Sequence, residues 1–144
     1  MLYSKQLEII EENTRQDANK VKSLATIFYM HCLKWNYQKY NQGTSWIRTI
    51  ITSSKDIKDI LYKKYPEYKN TTTFNKASEL LHDAYKDSIE KAIEETGVLN
   101  IAKDINVWKE FCTLEVICNE EYIRKWLISN AYSSDIIDKI NNKK

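Results

Sequence analysis

Glycine and proline are almost absent from this sequence. Its 144 residues include two glycines and one proline, although tight turns recruit these residue types most often. A sheet protein of this length needs many turns, so their scarcity disfavours a β architecture. Two glycines also cannot build a glycine-rich phosphate-binding loop. We therefore predict an all-α protein, a helical bundle of about four main helices with short C-terminal helices.

Cysteine and long apolar runs are scarce as well. The three cysteines, Cys32, Cys112 and Cys118, contain no CxxC pair, which disfavours a disulfide framework and a zinc site. No apolar run approaches the roughly 18 residues that span a bilayer. The start MLYSKQLEIIEE lacks the basic and apolar regions of a secretory signal. We expect a cytoplasmic protein with no membrane contact.

Neither sign of charge dominates the chain as a whole. The net charge is +2, but residues 34–69 carry eight Lys/Arg against three Asp/Glu, and residues 79–121 carry four against eleven. Consecutive antiparallel helices that complement each other would explain the two blocks. A basic surface for nucleic acid is the alternative interpretation.

Apolar residues are plentiful, at 42% of the chain, which is enough for a buried core. They repeat at helical spacing over residues 14–40, after a first helix over about residues 4–13 that Asn13 or Thr14 could separate from the next. Gly43 suits a left-handed C-terminal cap, and Thr44 or Ser45 the following N-cap. The stripe of residues 14–40 comprises Val21, Leu24, Ala25, Phe28, Cys32 and Trp35.

The next two helices are also clear in the pattern. One covers residues 44–64 and must end near Pro66. The other ends at Gly97, and its stripe comprises Phe74, Ala77, Leu81, Ala84, Ser88 and Ala92. After Gly97 we expect a loop with a short turn, then short helices in TLEVIC (capped by Thr113), NEEYIRKWLIS and SSDIIDKI. No repeat or linker divides the chain, so we predict one domain over residues 1–144.

No complete catalytic constellation is visible. His31 lies beside the apolar stripe, where a hydrogen-bonded core imidazole and a general base are both possible. No HxxxH or HxxE spacing supplies a second metal ligand, and no arginine is followed closely by a histidine as in small helical ribonucleases. The acidic pairs Glu11/Glu12 and Asp83/Asp87 fit solvated helix faces. We expect no catalytic residue, no metal and no cofactor.

Aromatic and basic side chains crowd the stretch HCLKWNYQKYNQGTSWIRTII, residues 31–51. Such a cluster can be a packed helix corner, a surface for a protein partner or a second copy, or a platform that stacks bases. In the corner interpretation, Arg48 would bond to Glu11, Glu12 or Asp83. The candidate binding residues are His31, Lys34, Trp35, Tyr37, Trp46 and Arg48.

The same stretch carries a family resemblance. MHCLKWNYQKYNQGTSWIRTI is followed by DIKDIL, AYKDSIEKAIEETGV and FCTLEVICNEEYI. In this order the blocks resemble the family called domain of unknown function 29, over about residues 10–123. Lys39 stands where that family usually has proline, and residues 124–144 form an extension. The resemblance implies an all-helical fold and supplies no activity.

These observations favour a small non-catalytic accessory protein that binds a protein partner or itself, with a homodimer as the simplest form. The alternative is a nucleic-acid-binding or processing protein that uses the basic, aromatic-rich helix hairpin of residues 34–69. Use of His31 as an enzymatic base is the third and weakest hypothesis.

Overall fold

The computed structural model describes residues 2–63 and 71–142. Within these ranges the chain forms helices and no strand, which confirms the predicted all-α class. The α-helices are α1 (Leu2–Tyr37), α2 (Thr44–Lys58), α3 (Thr71–Thr96), α4 (Asn106–Phe111), α5 (Leu114–Ile117), α6 (Glu120–Ser129) and α7 (Ser134–Asn141). Short 3-10 turns cover Lys39–Asn41 and Leu99–Lys103, and a π-helical turn, Asp59–Lys63, extends α2.

The first helix continues without a break through Asn13 and Thr14, so neither residue separates two helices. Thr14 is only 9% exposed and lies in register with buried Ala18 and Val21. The Thr14 side chain therefore belongs to the packed face of α1. This packed face begins closer to the N-terminus than the apolar residues alone indicate. A polar residue at a buried helical position resembles an N-cap in the sequence alone.

Helices α1 and α3 lie side by side and parallel. Lys22 pairs with Asp87 at 3.4 Å, and Lys34 pairs with Glu95 at 2.7 Å, so residue numbers rise together along the two helices. Acidic α3 thus forms ion pairs with lysines of α1. The two helices are parallel and are not consecutive in the chain, so the predicted pairing of consecutive antiparallel helices does not describe these ion pairs. Helix α2 packs against α1 as well.

Glycine closes one of the two predicted helix ends. Gly97 adopts φ +70° after α3, as expected for a left-handed cap. Gly43 is extended, with φ −170°, and precedes α2, so its prediction as a left-handed cap is wrong. The reason is that α1 has already ended at Tyr37 and a 3-10 turn intervenes. Thr44 is the first helical residue and gives no side-chain cap; Pro66 lies outside the described residues.

The cap predicted at Thr113 is confirmed, and α7 also starts with a side-chain cap. Thr113 accepts a hydrogen bond from the Val116 backbone N–H, and Ser133 accepts one from Ile136. These helices close the bundle around a chain of edge-to-face rings. Phe111 contacts Phe28 of α1 at 5.0 Å and Trp126 of α6 at 5.1 Å between ring centroids.

The core stripes of α1 and α3 are buried as predicted, although Leu24 is only partly covered. Buried apolar side chains of every α-helix join one cluster, which extends to Ile140 in α7. None of the helices in the two described ranges has the length and apolar character needed to cross a bilayer.

Candidate functional site

Three of the predicted site residues meet at the C-terminal end of α1. The Lys34 ammonium, whose side chain is 11% exposed, bonds to Glu95 and lies 5.6 Å from the centre of the Trp46 ring. His31, one turn earlier on α1, is half-buried, and its Nδ1 donates to the Ile27 carbonyl at 2.9 Å. Burial lowers the pKa of the His31 imidazole, and the nearby Lys34 charge acts in the same direction.

The hydrogen bond holds the imidazole against its own helix, and the lowered pKa favours its neutral form. A carbonyl oxygen only accepts, so Nδ1 carries the proton. Among the described residues, no hydrogen bond to His31 Nε2 is formed. The three side chains thus make a packed corner with one ion pair across α1 and α3.

Trp35 and Tyr37 point away from that corner into the interior. Trp35 is fully buried, and its indole N–H donates to the Leu127 carbonyl of α6 at 3.3 Å. The Tyr37 hydroxyl donates to Asp104 Oδ1 at 3.1 Å. Both bonds attach the end of α1 to the C-terminal half of the chain.

Asp104 is a buried polar centre that the sequence motifs do not single out. The Tyr85 hydroxyl lies 2.6 Å from the Asp104 backbone carbonyl and 2.8 Å from its Oδ2, and the Val107 backbone N–H donates to Oδ2 at 3.2 Å. Burial, together with the carboxyl group, raises the pKa of Tyr37 to about 12 and that of Tyr85 further. One indication of this role was present in the sequence. Asp104 stands three residues before Val107 at the start of α4, which is the spacing of a capping contact.

Arg48 lies apart from the other five predicted residues. It is exposed on α2 and forms no ion pair with a described carboxylate, so the bond predicted to Glu11, Glu12 or Asp83 is absent there. Glu12 binds Arg15 on its own helix instead. Arg48 lines an open cleft together with Lys55, Arg124 and Lys139.

Gln42 ties the corner to the loop that follows α6. Its amide N–H group donates to the Trp35 carbonyl at 2.8 Å and to the Asn130 carbonyl at 2.9 Å, and its amide oxygen accepts from the Tyr132 N–H at 2.8 Å. Gln42 is 7% exposed. Three backbone groups from two distant segments are therefore held by one buried amide.

Two tyrosines project outward from this tether. Tyr40 is 82% exposed and Tyr132 is 54% exposed, yet their rings contact each other, with centroids 4.6 Å apart and planes at 60°. The hydrogen bonds of Gln42 fix the backbone near both tyrosines, so the two rings are held in place at the surface. We call Tyr40 and Tyr132 the tyrosine pair.

Of the three free cysteines, Cys32 and Cys118 are buried and Cys112 is exposed. Burial raises the pKa of the Cys32 thiol, which is fully enclosed, and raises that of Cys118 to about 12. High thiol pKa values oppose thiolate chemistry at pH 7. Within residues 2–63 and 71–142, no three His, Cys, Asp or Glu side chains are grouped so that they could hold a metal ion. His82 packs against the Trp108 ring, not against His31.

The family follows from a match over most of the chain. Residues 4–123 match the family model described as Domain of unknown function DUF29. This range contains the core of about residues 10–123 that the sequence motifs delimit, and it leaves α7 and most of α6 beyond it. No curated protein and no solved structure matches the chain. The chain therefore belongs to the DUF29 family.

Proposed function

We propose that this protein is a non-catalytic interaction protein that forms a homodimer through the tyrosine pair. The observation that carries the proposal is the combination of high exposure and ring contact at Tyr40 and Tyr132. Tyrosine is enriched at binding hot spots because it adds a large contact area at little cost in side-chain entropy. The Gln42 tether removes most of the remaining backbone freedom, so binding orders few groups.

Charges beside the tyrosine pair favour a second copy as the partner. Exposed Lys39 precedes Tyr40, and exposed Asp135 lies in the first turn of α7, three residues after Tyr132. A two-fold interface presents the same patch from both copies. With opposite charges on the two segments of the patch, Lys39 of each copy can meet Asp135 of the other.

The test is sedimentation equilibrium over a wide range of protein concentration. We expect reversible dimers for the unmodified chain, and Tyr40→Ser and Tyr132→Ser should each weaken dimerisation by about tenfold or more. Tyr122→Ser is the matched control, because Tyr122 is also exposed but lies on α6, bonded to Glu110. That variant should dimerise like the unmodified chain.

A charge-reversal pair tests the geometry of the dimer. Lys39→Glu should weaken dimerisation because it places like charges opposite each other, and adding Asp135→Lys in the same chain should restore it. An unmodified chain that stays monomeric at every concentration would contradict the proposed dimer. Dimers that persist in Tyr40→Ser would place the interface elsewhere.

Nucleic-acid binding by the hairpin of residues 34–69 has less support. Trp35 is fully buried and cannot stack on a base, and Lys34 is held by Glu95. Stacking proteins need aromatic rings beside free cations along the strand. Arg48 and Lys55 of α2 line a small open cleft instead.

A further inference from the structure

A small basic cleft lies where α2 meets α6 and α7. Its volume is about 180 Å³. One face of α2 supplies its wall, since residues 44, 48, 52 and 55 follow one another at helical spacing. The lining consists of Thr44, Ile47, Arg48, Ile51, Thr52, Lys55, Arg124, Lys139 and Asn142.

Four cations line this cleft, and two of them are already engaged. Arg124 bonds to Glu120 at 2.9 Å and donates to the Ile140 carbonyl at 2.6 Å, and Lys55 approaches Glu120 at 3.5 Å. Arg48 and Lys139 form no ion pair with any carboxylate in the described part of the chain. Glu120 thus neutralises one of four positive charges, and an excess remains.

The engaged cations also give the cleft a fixed frame. Arg124 connects α6 to the last turn of α7, and Lys55 connects α2 to the same glutamate. Ile47 and Ile51, each 6% exposed, form an apolar floor under the polar groups. Arg48 and Lys139 therefore extend from helices that are braced against each other, and an anion can bind without rearranging the fold.

We propose that this cleft binds the terminal phosphate of a small phosphorylated molecule. A compact dianion matches four cations that line one small cleft, and an arginine guanidinium can hold it with two parallel hydrogen bonds. The volume is below the about 300 Å³ at which drug-sized ligands are enclosed, so the cleft would hold the phosphate group while the rest of the molecule stays outside.

The surroundings of the cleft argue against a nucleic-acid strand as the ligand. A strand needs a basic groove that follows its backbone for several nucleotides. Here the cations alternate with acids: Asp56 follows Lys55, Asp138 precedes Lys139, and Glu120 lies between Lys55 and Arg124. A long polyanion that continues beyond the cleft would approach these carboxylates, whereas none of the three lines the cleft that would hold a single phosphate group.

Isothermal titration calorimetry at constant ionic strength tests the proposal with three probes. They are inorganic phosphate, glycerol 1-phosphate, and a single-stranded oligonucleotide without terminal phosphates. We expect one saturable site for the two phosphates and none for the oligonucleotide. Arg48→Gln and Lys139→Gln should each weaken phosphate binding by about tenfold, the range of a lost charge-assisted bond.

Lys125→Gln is the matched control, because Lys125 lies on α6 and its side chain is 75% exposed beside Glu121, outside the cleft. It should bind phosphate like the unmodified chain. Circular dichroism confirms that each variant is folded. Absence of phosphate binding to the unmodified chain, equal binding by Arg48→Gln, or tighter binding of the oligonucleotide would each overturn the proposal. The tyrosine pair lies outside the cleft, so dimerisation should be unchanged in Arg48→Gln.

Discussion

At the scale of single residues, the side chains that attract attention in the sequence divide between the interior and the surface. Trp35 and Tyr37 anchor α1 to the C-terminal half, and Lys34 bonds to α3. Their residue types and helical spacing indicated a packed corner. Asp104 could not be found in this way, because its partners Tyr37 and Tyr85 lie far from it in sequence and only tertiary packing brings them together.

We expect the buried carboxylate of Asp104 to stabilise the fold. Asp104→Ala removes the acceptor of the Tyr37 hydroxyl and of the Val107 N–H, whereas the Tyr85 hydroxyl keeps the backbone carbonyl of residue 104 at 2.6 Å. The free energy of unfolding should therefore fall by about 2 kcal/mol. Glu110→Ala also removes a carboxylate from a tyrosine hydroxyl, that of exposed Tyr122, and should cost less than about 0.5 kcal/mol. Urea unfolding curves measure both. Equal losses would contradict a special role for the buried centre.

We expect His31 to make the stability of the fold depend on pH. Because burial lowers its pKa in the folded chain, the folded state binds fewer protons than the unfolded state below the usual value of 6.5. The stability contributed by neutral His31 is present above that value and is lost as the pH falls through it.

The measurement is the free energy of unfolding at pH 7 and at pH 5. It should fall for the unmodified chain and fall less for His31→Gln, which cannot take up a proton. Glu12 and Glu120 have lowered pKa values and lose their contributions mainly below the usual 4.5, outside this window. A His31→Gln variant with the same pH dependence as the unmodified chain would show that the imidazole is not desolvated.

At the scale of elements, helix faces were predictable and several helix ends were not. The stripe of α3 and the cap at Gly97 follow directly from spacing and backbone geometry. The continuous α1 does not, since Thr14 resembles a cap until its buried position is known. Gln42 was also beyond sequence reasoning, because its role depends on a loop 88 to 90 residues away.

We expect the hydrogen bonds of Gln42 to stabilise the packing of the elements that they connect. Gln42→Ala leaves the Trp35 carbonyl, the Asn130 carbonyl and the Tyr132 N–H without their partner, so unfolding should become easier by about 2–4 kcal/mol. Gln38→Ala, four residues earlier, removes an amide that makes no side-chain cap bond and should change stability by less than about 0.5 kcal/mol. Thermal unfolding of the two variants separates these cases. Similar melting temperatures would mean that the tether contributes little.

At the scale of the whole molecule, we propose that residues 1–144 fold as one domain, with the extension of residues 124–144 as part of it. Trp126, Leu127 and Ile140 are buried in the same cluster as the α1 and α3 stripes. The extension lies almost entirely beyond the family match, but it supplies the carbonyl that Trp35 binds. A chain without it would leave that buried indole N–H unpaired.

This proposal predicts a single cooperative transition. The four tryptophans lie on α1, α2, α4 and α6, so their fluorescence reports on the whole bundle, while circular dichroism reports on helix content. Both signals should give the same urea midpoint. Two separated midpoints would indicate that the extension or the α1–α3 pair unfolds independently.

The central claim is that the aromatic side chains Trp35 and Tyr37 at the end of α1 hold the fold together, while the exposed tyrosine pair binds a second copy. The most direct test measures the dimerisation constant and the monomer's free energy of unfolding for Tyr40→Ser and Tyr37→Phe, three residues apart. We predict that Tyr40→Ser loses dimerisation and keeps its stability, and that Tyr37→Phe loses about 1 kcal/mol of stability and keeps dimerisation. A Tyr40→Ser variant that dimerises like the unmodified chain would contradict the claim.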